Sequence, residues 1–395
     1  MSEPRCRPLR PEDYPAVKEI IAEAFPHEPA EKSDVLDRYE REPWCDPDHL
    51  LVAESDGQVV GQMGARDGLL WCAGIALPAV LVGTVCTRAH LRGKGIGSSM
   101  MGAAFSWMRR FDPAISYLHT SPGRYGFYSR LGYKKAVIET PRLIVYPTQL
   151  ALSPSPDTPI RPALPGDAAI LDDIYTAHYS HASGAWSRTL PFWECRLKKE
   201  TKLWSQTVSF RLAGDPPSAY IGVQETEGGN TVCEWACLPG AEEIAWHLLC
   251  ATLVGWVNSG SIAVGLTVSS ADPLRPLLNS LFPEERTDHQ TIFVRIQNVH
   301  LFLQRVSPLL EKRAADLGRK LQIHCADTDD EVAFGHGPLL ELTLDSSDLA
   351  ALVYNGRRLE GLQRENGLQV CPDDFEALRH IFPDTGAARG HLDSY

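Results

Sequence analysis

The residues with the clearest chemical potential form one glycine-rich run, residues 92–97 with the sequence RGKGIG. The apolar stretch 79–87 before it predicts a buried strand, and apolar residues at helical spacing follow it over 96–108. Glycines let a backbone turn tightly and approach an anion, and the first amides of a helix attract negative charge. The run therefore predicts a strand-to-helix turn that binds a pyrophosphate.

Other interpretations of this run fit less well. A P-loop carries Lys-Ser or Lys-Thr after its glycines, and no such pair follows here. A dinucleotide-binding fold places its glycines after the first strand, whereas this run follows about the fourth predicted strand. An ordinary strand-to-helix turn that holds no ligand is the remaining alternative.

Mixed α/β structure must position this turn, because predicted helices and strands alternate on both sides of it. In chain order, the sequence predicts a helix after Pro11, strands at 50–54 and 58–63, the strand and helix around the glycines, a strand at 115–119, a helical turn at 127–131 and a strand at 133–146. The first part of the chain is therefore expected to be a compact α/β domain.

Two motifs are similar to the hallmarks of the GNAT N-acetyltransferases. Residues 92–97 match the R/Q-x-x-G-x-G/A pattern, and residues 127–133 (FYSRLGY) match F-Y-x-x-L-G-F/Y about thirty residues later. Both motifs at this separation indicate a GNAT domain, and the resemblance implies acetyl-coenzyme A as co-substrate.

The resemblance also implies which residues contact the coenzyme. The backbone of Val85 and Thr87 would pair with the pantetheine arm, and the turn would hold the pyrophosphate. Family members usually have an apolar residue where this chain has Thr87, which matters little because backbone atoms form those bonds. The expected cofactor-binding residues are Val85, Cys86, Thr87, Arg92, Gly93, Lys94, Gly95, Ile96, Gly97, Ser98 and Ser121.

Beyond the first domain, the whole chain resembles the Eis (enhanced intracellular survival) family. Its plan is a GNAT domain, a degenerate second GNAT-like domain and a C-terminal sterol-carrier-protein-like α/β domain. The run 179–188 with Trp193, and the run 351–356 with residues 375–378, carry the resemblance here. The resemblance implies a homo-oligomer, specifically a hexamer.

The domain boundaries follow from a proline-crowded stretch at 147–165, which predicts an extended linker. Arg161-Pro162 and Asp167 after it echo Arg7-Pro8 and Asp13 near the start of the chain, which favours a duplicated fold. We expect an α/β (α+β) protein with domains at 1–147, 148–288 and 289–395.

Attack of an amine on a thioester needs a base, a donor to the developing oxyanion and an acid for the departing thiolate. A backbone N–H near Val85 is the expected oxyanion donor. Tyr128 is the expected acid, as the matching tyrosine is in Eis proteins, and packing in a cofactor site is the alternative role. A phenol of pKa ~10 protonates a thiolate of pKa ~8.5 somewhat uphill, which is feasible when the two groups are held together.

The base has two candidates. Eis proteins are thought to use their C-terminal carboxylate, which implies the α-carboxylate of Tyr395 here, although their last residue is usually Phe. A frayed tail is the alternative for this terminus. His119, at the end of a predicted strand, is the second candidate, and a structural role is its alternative.

The acceptor is expected to be a primary amine. By resemblance to Eis, it is an aminoglycoside, another polyamine-like molecule or a lysine side chain. Phe25, Trp44 and Trp71 are the candidate residues of the acceptor pocket, with core packing as the alternative for each.

Composition excludes several other classes of partner. A net charge of −12 without a basic block argues against nucleic acid, and no stretch approaches the ~20 apolar residues of a membrane span. A polar N-terminal stretch without the apolar core of a secretory signal predicts a cytoplasmic protein. The ten cysteines lack C-x-x-C spacing, and the pairs His178/His181 and His324/Cys325 lack further ligands nearby, so no metal site is expected.

Two classes of function are compatible with these features. The first is an acetyl-coenzyme A-dependent N-acetyltransferase. The second is a non-catalytic protein that binds an apolar ligand in its C-terminal domain and keeps a vestigial GNAT fold. The intact turn at 92–97 and Tyr128 favour the enzyme.

Overall fold

The computed structural model describes residues 4–25, 47–145, 157–198, 208–226, 229–258, 264–267, 275, 278, 284–354, 359–365 and 370–383. The chain divides into two compact units. The first falls within Met1–Leu70, Ile75–Val137 and Thr291–Asp384, and the second within Trp71–Gly74 and Ile138–Gln290. The expected division at residues 147 and 288 stays a prediction.

Strands and helices alternate along the described residues, which confirms the expected mixed α/β class. The strands are β1 Arg5–Pro8, β2 Leu50–Ser55, β3 Gln58–Cys72, β4 Ile75–Thr87, β5 Ile115–His119, β6 Lys134–Val145, β7 Ile160–Pro162, β8 Val208–Ala213, β9 Ala219–Thr226, β10 Gly229–Cys237, β11 Val264–Thr267, β12 Glu284–Ile296, β13 Lys320–Cys325, β14 Asp330–Gly335 and β15 Leu339–Leu344. The helices are α1 Tyr14–Ala24, α2 Ile96–Met108, α3 Tyr125–Ser129, α4 Ala168–Tyr179, α5 Leu190–Leu197, α6 Glu242–Asn258, α7 Val299–Asp316, α8 Ser346–Tyr354, α9 Leu359–Glu365 and α10 Pro372–Ile381.

The sheet of the first unit has the strand order β1-β2-β3-β4-β5-β12. Neighbouring strands β4 and β5 are parallel, and β12 joins the edge of β5 in the antiparallel sense. Helix α2 covers the sheet because its apolar residues recur every three to four positions, burying Met100, Ala104 and Met108. These side chains form the core around which the glycine-rich turn is built.

The sheet of the second unit repeats this plan with the order β6-β11-β10-β9-β8-β7. Strands β10 and β11 are parallel, as β4 and β5 are, and β6 joins β11 in the antiparallel sense. The last strand of each sheet is therefore distant in sequence from its neighbours. β12, which follows all the strands of the second sheet in the chain, completes the first sheet, and β6, which precedes them, completes the second.

The two units contain matching arginine–aspartate contacts. Arg7 donates two hydrogen bonds to the carboxylate of Asp13, at 2.6 and 2.9 Å, and Arg161 donates two to Asp167, both at 2.7 Å. In each unit the pair ties the first strand to the turn that begins the first helix, so both halves start with the same clasp.

The C-terminal part of the first unit adds a small sheet of order β14-β13-β15 with helices α7 to α10. Every residue of α8 is buried. Lys134, in the portion of β6 that belongs to the first unit, donates to Asp345 at 3.1 Å and to the buried carboxylate of Asp348 at 2.8 Å.

Two further properties concern the described residues as a whole. None of their helices is both long and apolar enough to cross a bilayer. Their nine cysteines are free thiols.

Candidate active site

The glycine-rich turn lies between β4 and α2, as the sequence predicts. Gly93 and Gly95 have φ angles of 78° and 83°, a backbone conformation that glycine adopts without strain. A Cβ atom at either position would meet nothing within 4 Å, so open space lies beside both. Arg92, Gly93, Lys94 and Gly95 are all exposed.

The helix that follows presents its first amides to this space. Gly95 is the N-cap of α2, and no side chain caps the helix there. The first amide bonded within the helix is that of Ser99, which donates to the carbonyl oxygen of Gly95 at 3.0 Å. The amides of Ile96, Gly97 and Ser98 therefore point beyond the helix end, where a diphosphate fits.

The two sequence motifs contact each other in the structure. A Cβ atom on Gly97 would lie 3.4 Å from the ring of Phe127, which belongs to the second motif. This distance is that of ordinary van der Waals contact, so the start of α2 and helix α3 lie close together. Tyr128 is consequently near the turn.

The C-terminal end of β4 turns one edge of its backbone away from β3. A Cβ on Gly61 of β3 would lie 3.1 Å from the carbonyl oxygen of Cys86, and the N–H of Arg88 donates to Val60 of β3 at 2.9 Å. Because successive residues of a strand face opposite sides, Val85 and Thr87 direct their N–H and C=O groups away from β3.

That edge lies beyond the end of the pairing with β5. The parallel register runs from Ala79–Ile115 to Val82–Leu118 and stops there. Thr84 then has a φ of 47°, a kink of the kind that re-aims a strand. Val85 and Thr87 thus offer donors and acceptors that an extended ligand is able to pair with.

Tyr128 is buried at the centre of an aromatic group. Its side chain is 5% exposed, and its ring lies 4.9 Å from Phe127, 6.0 Å from Tyr133 and 6.4 Å from Phe293, between ring centroids. Burial raises the pKa of Tyr128 to about 12, and the positive charge of Arg124 opposes part of that rise.

Cys86 lies within electrostatic range of Tyr128, and burial raises the pKa of its thiol to about 12 as well. The thiol lies 3.4 Å from Oε1 of Gln62, to which it donates, and the amide of Gln62 donates to Thr84 at 3.0 Å. Gln62 is fully buried and so fixes the kinked part of β4. Sequence reasoning missed Gln62 and Thr84; a glutamine inside an apolar strand was the available signal.

The carboxylate of Glu23, on α1, forms hydrogen bonds with the residues that precede the glycine turn. Glu23 accepts from the N–H of Ala89 at 2.8 Å and from Arg88 at 3.0 Å, and its carbonyl oxygen accepts from Arg92 at 3.1 Å. The hydrogen bond from Ala89, with help from Arg88, holds the pKa of Glu23 below its ordinary value. Glu23 was not a candidate from the sequence.

The remaining predicted cofactor and base residues lie on neighbouring elements. Ser98 is exposed on the first turn of α2, and Ser121 is exposed before the turn Pro122–Arg124, where its carbonyl accepts from Arg124 at 2.9 Å. His119 is half-buried at the end of β5, with its ring 5.8 Å from that of Tyr117.

The predicted acceptor residues are not all brought together. Phe25 is half-buried directly after α1. Trp71 is grouped with the second unit, where its N–H donates to Ala185 at 2.8 Å, so the structure does not place it in the same unit as Tyr128. Trp44 and Tyr395 lie outside the described residues.

Metal ligation has no support in the part of the chain that the structure describes. No group of three or more His, Cys, Asp or Glu side chains there is arranged to hold an ion.

The turn, the kinked strand and the buried tyrosine all lie within a part of the chain that matches a known family. Residues 5–136 match the family described as "Acetyltransferase (GNAT) domain". This part of the chain is therefore a GNAT domain, the domain of acyltransferases that use acetyl-coenzyme A.

Particular relatives extend the comparison. The chain is 27% identical over 173 residues to a mycothiol acetyltransferase of Cellulomonas flavigena, covering 40% of this chain and 49% of that protein, about half its length. A GCN5-related N-acetyltransferase from Anabaena variabilis has a similar structure, with a TM-score of 0.75 and 18% identity over 98% of this chain and 99% of that one. Eis1 from Mycobacterium abscessus has a TM-score of 0.68 and 15% identity, again over 98% and 99%. These structures share the fold along nearly the whole chain.

Proposed function

We propose that the whole chain is an N-acetyltransferase of the Eis family that transfers the acetyl group of acetyl-coenzyme A to a primary amine by direct attack. The observation that carries this proposal is the position of Tyr128. Its buried side chain lies beside Cys86, on the strand end where Val85 and Thr87 direct their backbone groups away from β3, and next to the turn that fits a diphosphate.

In this proposal the backbone of β4 orients the donor. Val85 and Thr87 bind the pantetheine arm as an added strand would be bound, and the N–H near Val85 faces the thioester oxygen. The turn from Arg92 to Gly97 and the first amides of α2 hold the diphosphate. Acetyl-coenzyme A supplies the activated acetyl group.

Tyr128 is the proposed catalytic acid. With its pKa raised to about 12, the phenol is protonated throughout the neutral range and is able to donate. The burial that raises the thiol pKa of Cys86 to about 12 would disfavour any thiolate nearby in the same way. A coenzyme A thiolate that leaves at this position is therefore more basic than in water. Proton transfer to it from Tyr128 is then less unfavourable than the free pKa values of ~10 for a phenol and ~8.5 for a thiol suggest.

The base and the acceptor pocket are proposed from the family resemblance. The α-carboxylate of Tyr395 is the proposed base, with His119 as the alternative. Phe25 and Trp44 are the proposed acceptor-pocket residues, and the acceptor is an aminoglycoside, a polyamine-like amine or a lysine side chain. Eis proteins are hexamers, and we propose that assembly, together with three domains divided at 147 and 288, for this chain.

A thiol-release assay with acetyl-coenzyme A and a panel of aminoglycosides, polyamines and lysine peptides tests the proposal. We expect turnover with at least one amine, and a kcat at least about tenfold lower for Tyr128→Phe with coenzyme affinity nearly unchanged. No turnover with any amine by a folded protein that binds coenzyme A would overturn the catalytic proposal.

Deletion of Tyr395 alone tests the base. Loss of kcat with unchanged affinity for coenzyme A supports the terminal carboxylate. An unchanged kcat removes it, and His119→Gln is then the variant expected to lose activity.

A further inference from the structure

The duplicated clasp gives a residue-by-residue correspondence between the first helices of the two units. Arg7 and Asp13 correspond to Arg161 and Asp167, a constant separation of 154 residues. A backbone bond keeps the same separation: the N–H of Leu9 donates to Leu50, and that of Ala163 donates to Phe210, both at 2.9 Å. The first residues of the helices, Tyr14 of α1 and Ala168 of α4, keep the same separation.

The ends of β4 and β10 correspond in the same manner. The first residue after β4, Arg88, donates its N–H to Val60, and the first after β10, Leu238, donates to Ser218 at 2.8 Å. Counting back along each strand, Val85 corresponds to Trp235 and Thr87 to Cys237. By alternation, these four residues direct their backbone groups away from the preceding strand of their own sheet.

In the second unit, side chains from α4 occupy those backbone groups. The hydroxyl of Tyr179 donates to the carbonyl oxygen of Trp235 at 3.0 Å, and the N–H of Cys237 donates to Nδ1 of His178 at 3.4 Å. A ligand that paired with this strand end would have to displace both side chains.

The turn after β10 is also unsuited to a diphosphate. Only residues 238–241 separate β10 from α6, and the helix begins with Glu242 and Glu243. The carboxylate of Glu242 accepts from the N–H of Gly240 at 3.2 Å. A negative charge of the protein itself thus lies where the first unit exposes amides.

At the same separation of 154 residues, Ala24, the last residue of α1, corresponds to His178, and Phe25, the first residue after α1, corresponds to Tyr179, the last residue of α4. Helix α1 packs against β4 as α4 packs against β10. A methyl group and a phenyl ring contain no hydrogen-bonding atom, so neither residue is able to take the backbone groups of Val85 and Thr87.

We propose that Ala24 and Phe25 keep the donor groove of the first unit open and so determine that this unit, and not the second, binds the coenzyme. The inference rests on the proposed function, since it takes the groove beside Val85 and Thr87 to be the pantetheine site. It gives Phe25 a role at the donor side, beyond lining the acceptor pocket.

Calorimetric titration of the full-length protein with coenzyme A tests this directly. The wild type is expected to bind one molecule per chain. Phe25→Tyr, which adds to the ring at position 25 the hydroxyl that Tyr179 has, is expected to weaken binding about tenfold, as loss of one hydrogen bond to the ligand would. The double variant Ala24→His/Phe25→Tyr is expected to weaken it further.

Two control variants separate the added hydroxyl from other effects. Phe25→Leu removes the ring without adding a polar atom, so its loss of affinity is expected to be smaller than that of Phe25→Tyr. Tyr179→Phe removes the hydrogen bond to the carbonyl oxygen of Trp235 and is expected to leave the affinity and the single site unchanged, because the turn after β10 cannot hold a diphosphate.

The outcomes are distinguishable. Wild-type affinity in Phe25→Tyr, or two sites per wild-type chain, would overturn the inference and leave the proposed function intact. Absence of binding by the folded wild type would overturn the proposed function itself.

Discussion

The guanidinium of Arg295 donates to the carbonyl oxygen of Leu131 at 3.1 Å, three residues beyond Tyr128. The same guanidinium lies 4.1 Å from the ring centroid of Phe105 on α2. Arg295 belongs to β12, the strand that completes the first sheet from far along the chain. The side chain of Arg295 therefore contacts both α2, which begins at the glycine turn, and the turn at the end of α3, the helix that carries Tyr128.

A partly buried hydrogen-bond network extends this contact. Arg295 donates to Gln297 at 3.0 Å, Gln297 donates to Ser116 of β5 at 2.6 Å, and Ser116 and Tyr133 share a hydrogen bond of 2.9 Å. Tyr133 in turn donates its N–H to the carbonyl oxygen of Tyr128 at 3.2 Å. The network thus fixes the backbone on which Tyr128 is mounted.

Arg295 is therefore expected to be a positioning residue for Tyr128. Replacement by lysine keeps the charge but removes the planar set of donors, so the backbone after Tyr128 loses one of its supports. For Arg295→Lys we expect kcat to fall about tenfold while the KM for acetyl-coenzyme A changes by less than about twofold. Steady-state kinetics with a saturating amine measure both quantities.

Arg319 provides the matched control. It also donates to backbone carbonyl oxygens, those of Pro338 at 3.2 Å and Leu339 at 3.1 Å, but it lies in the C-terminal part of the first unit. Arg319→Lys is expected to leave kcat unchanged. Equal loss of kcat in both variants would mean that Arg295 acts only through general stability.

Glu23 is expected to matter for coenzyme affinity. Glu23→Ala removes the acceptor for the N–H of Ala89 and the partner of Arg88, which loosens the turn before Arg92. We expect the KM for acetyl-coenzyme A to rise about three- to tenfold with kcat nearly unchanged.

Glu19 is the control for this effect, since it also contacts Arg88, at 2.9 Å, but is 65% exposed and does not contact the turn backbone. Exposed ion pairs contribute ~1 kcal/mol or less. Glu19→Ala is therefore expected to be close to wild type. If the two variants raise the KM equally, the hydrogen bond to Ala89 is not what positions the turn.

The parts of the site that the sequence predicted are those encoded by neighbouring residues. The strand ending at Thr87, the glycine turn and the helix from Ile96 each have local signals in apolar spacing and glycine position, and all three are confirmed. The helix of Tyr128 is confirmed too, although it begins at Tyr125 instead of Phe127. The sequence also indicated that Arg7 with Asp13 and Arg161 with Asp167 are equivalent pairs, because the residues repeat at equal spacing.

The parts that the sequence did not predict depend on contacts between distant segments. Nothing near residue 295 indicates that β12 pairs with β5, because strand pairing is settled by the tertiary fold and not by local propensity. The hydrogen bond from Arg295 to the carbonyl oxygen of Leu131 could not be predicted for the same reason. The sequence likewise showed no sign of the backbone hydrogen bonds that join Trp71 to Gly184 and Ala185.

The raised pKa of Tyr128 has a consequence for the pH dependence of the reaction. Burial favours the neutral phenol, so the acid form persists well above the free value of ~10 and is lost only as the pH approaches about 12. We expect no alkaline fall in kcat from Tyr128 up to about pH 10. Difference absorbance between the wild type and Tyr128→Phe reports the phenolate. An ionisation assigned to Tyr128 near pH 8 or 9 would contradict this expectation.

The second unit contains a buried ion pair whose removal is expected to be costly. Arg188 and Glu234 are 0% and 1% exposed and share two hydrogen bonds, of 2.7 and 2.6 Å. Tyr220 donates to the same carboxylate at 2.7 Å, and the guanidinium of Arg188 lies 3.9 Å from the ring centroid of Tyr175. Arg188→Met leaves the carboxylate of Glu234 buried without its counter-charge, which destabilises a fold by about 3–5 kcal/mol.

Arg161 is the comparison, because it forms an equally two-pronged contact with Asp167 but is 44% exposed. Water screens that pair, so Arg161→Met is expected to cost less than Arg188→Met in urea-induced unfolding. The double variant Arg188→Met/Glu234→Leu is expected to be more stable than Arg188→Met alone, because it removes the stranded charge. Two results would contradict this expectation: a loss of unfolding free energy in Arg188→Met no larger than that in Arg161→Met, or a double variant less stable than Arg188→Met. Either result would mean that Arg188 stabilises the fold by packing against the aromatic rings and not through its charge.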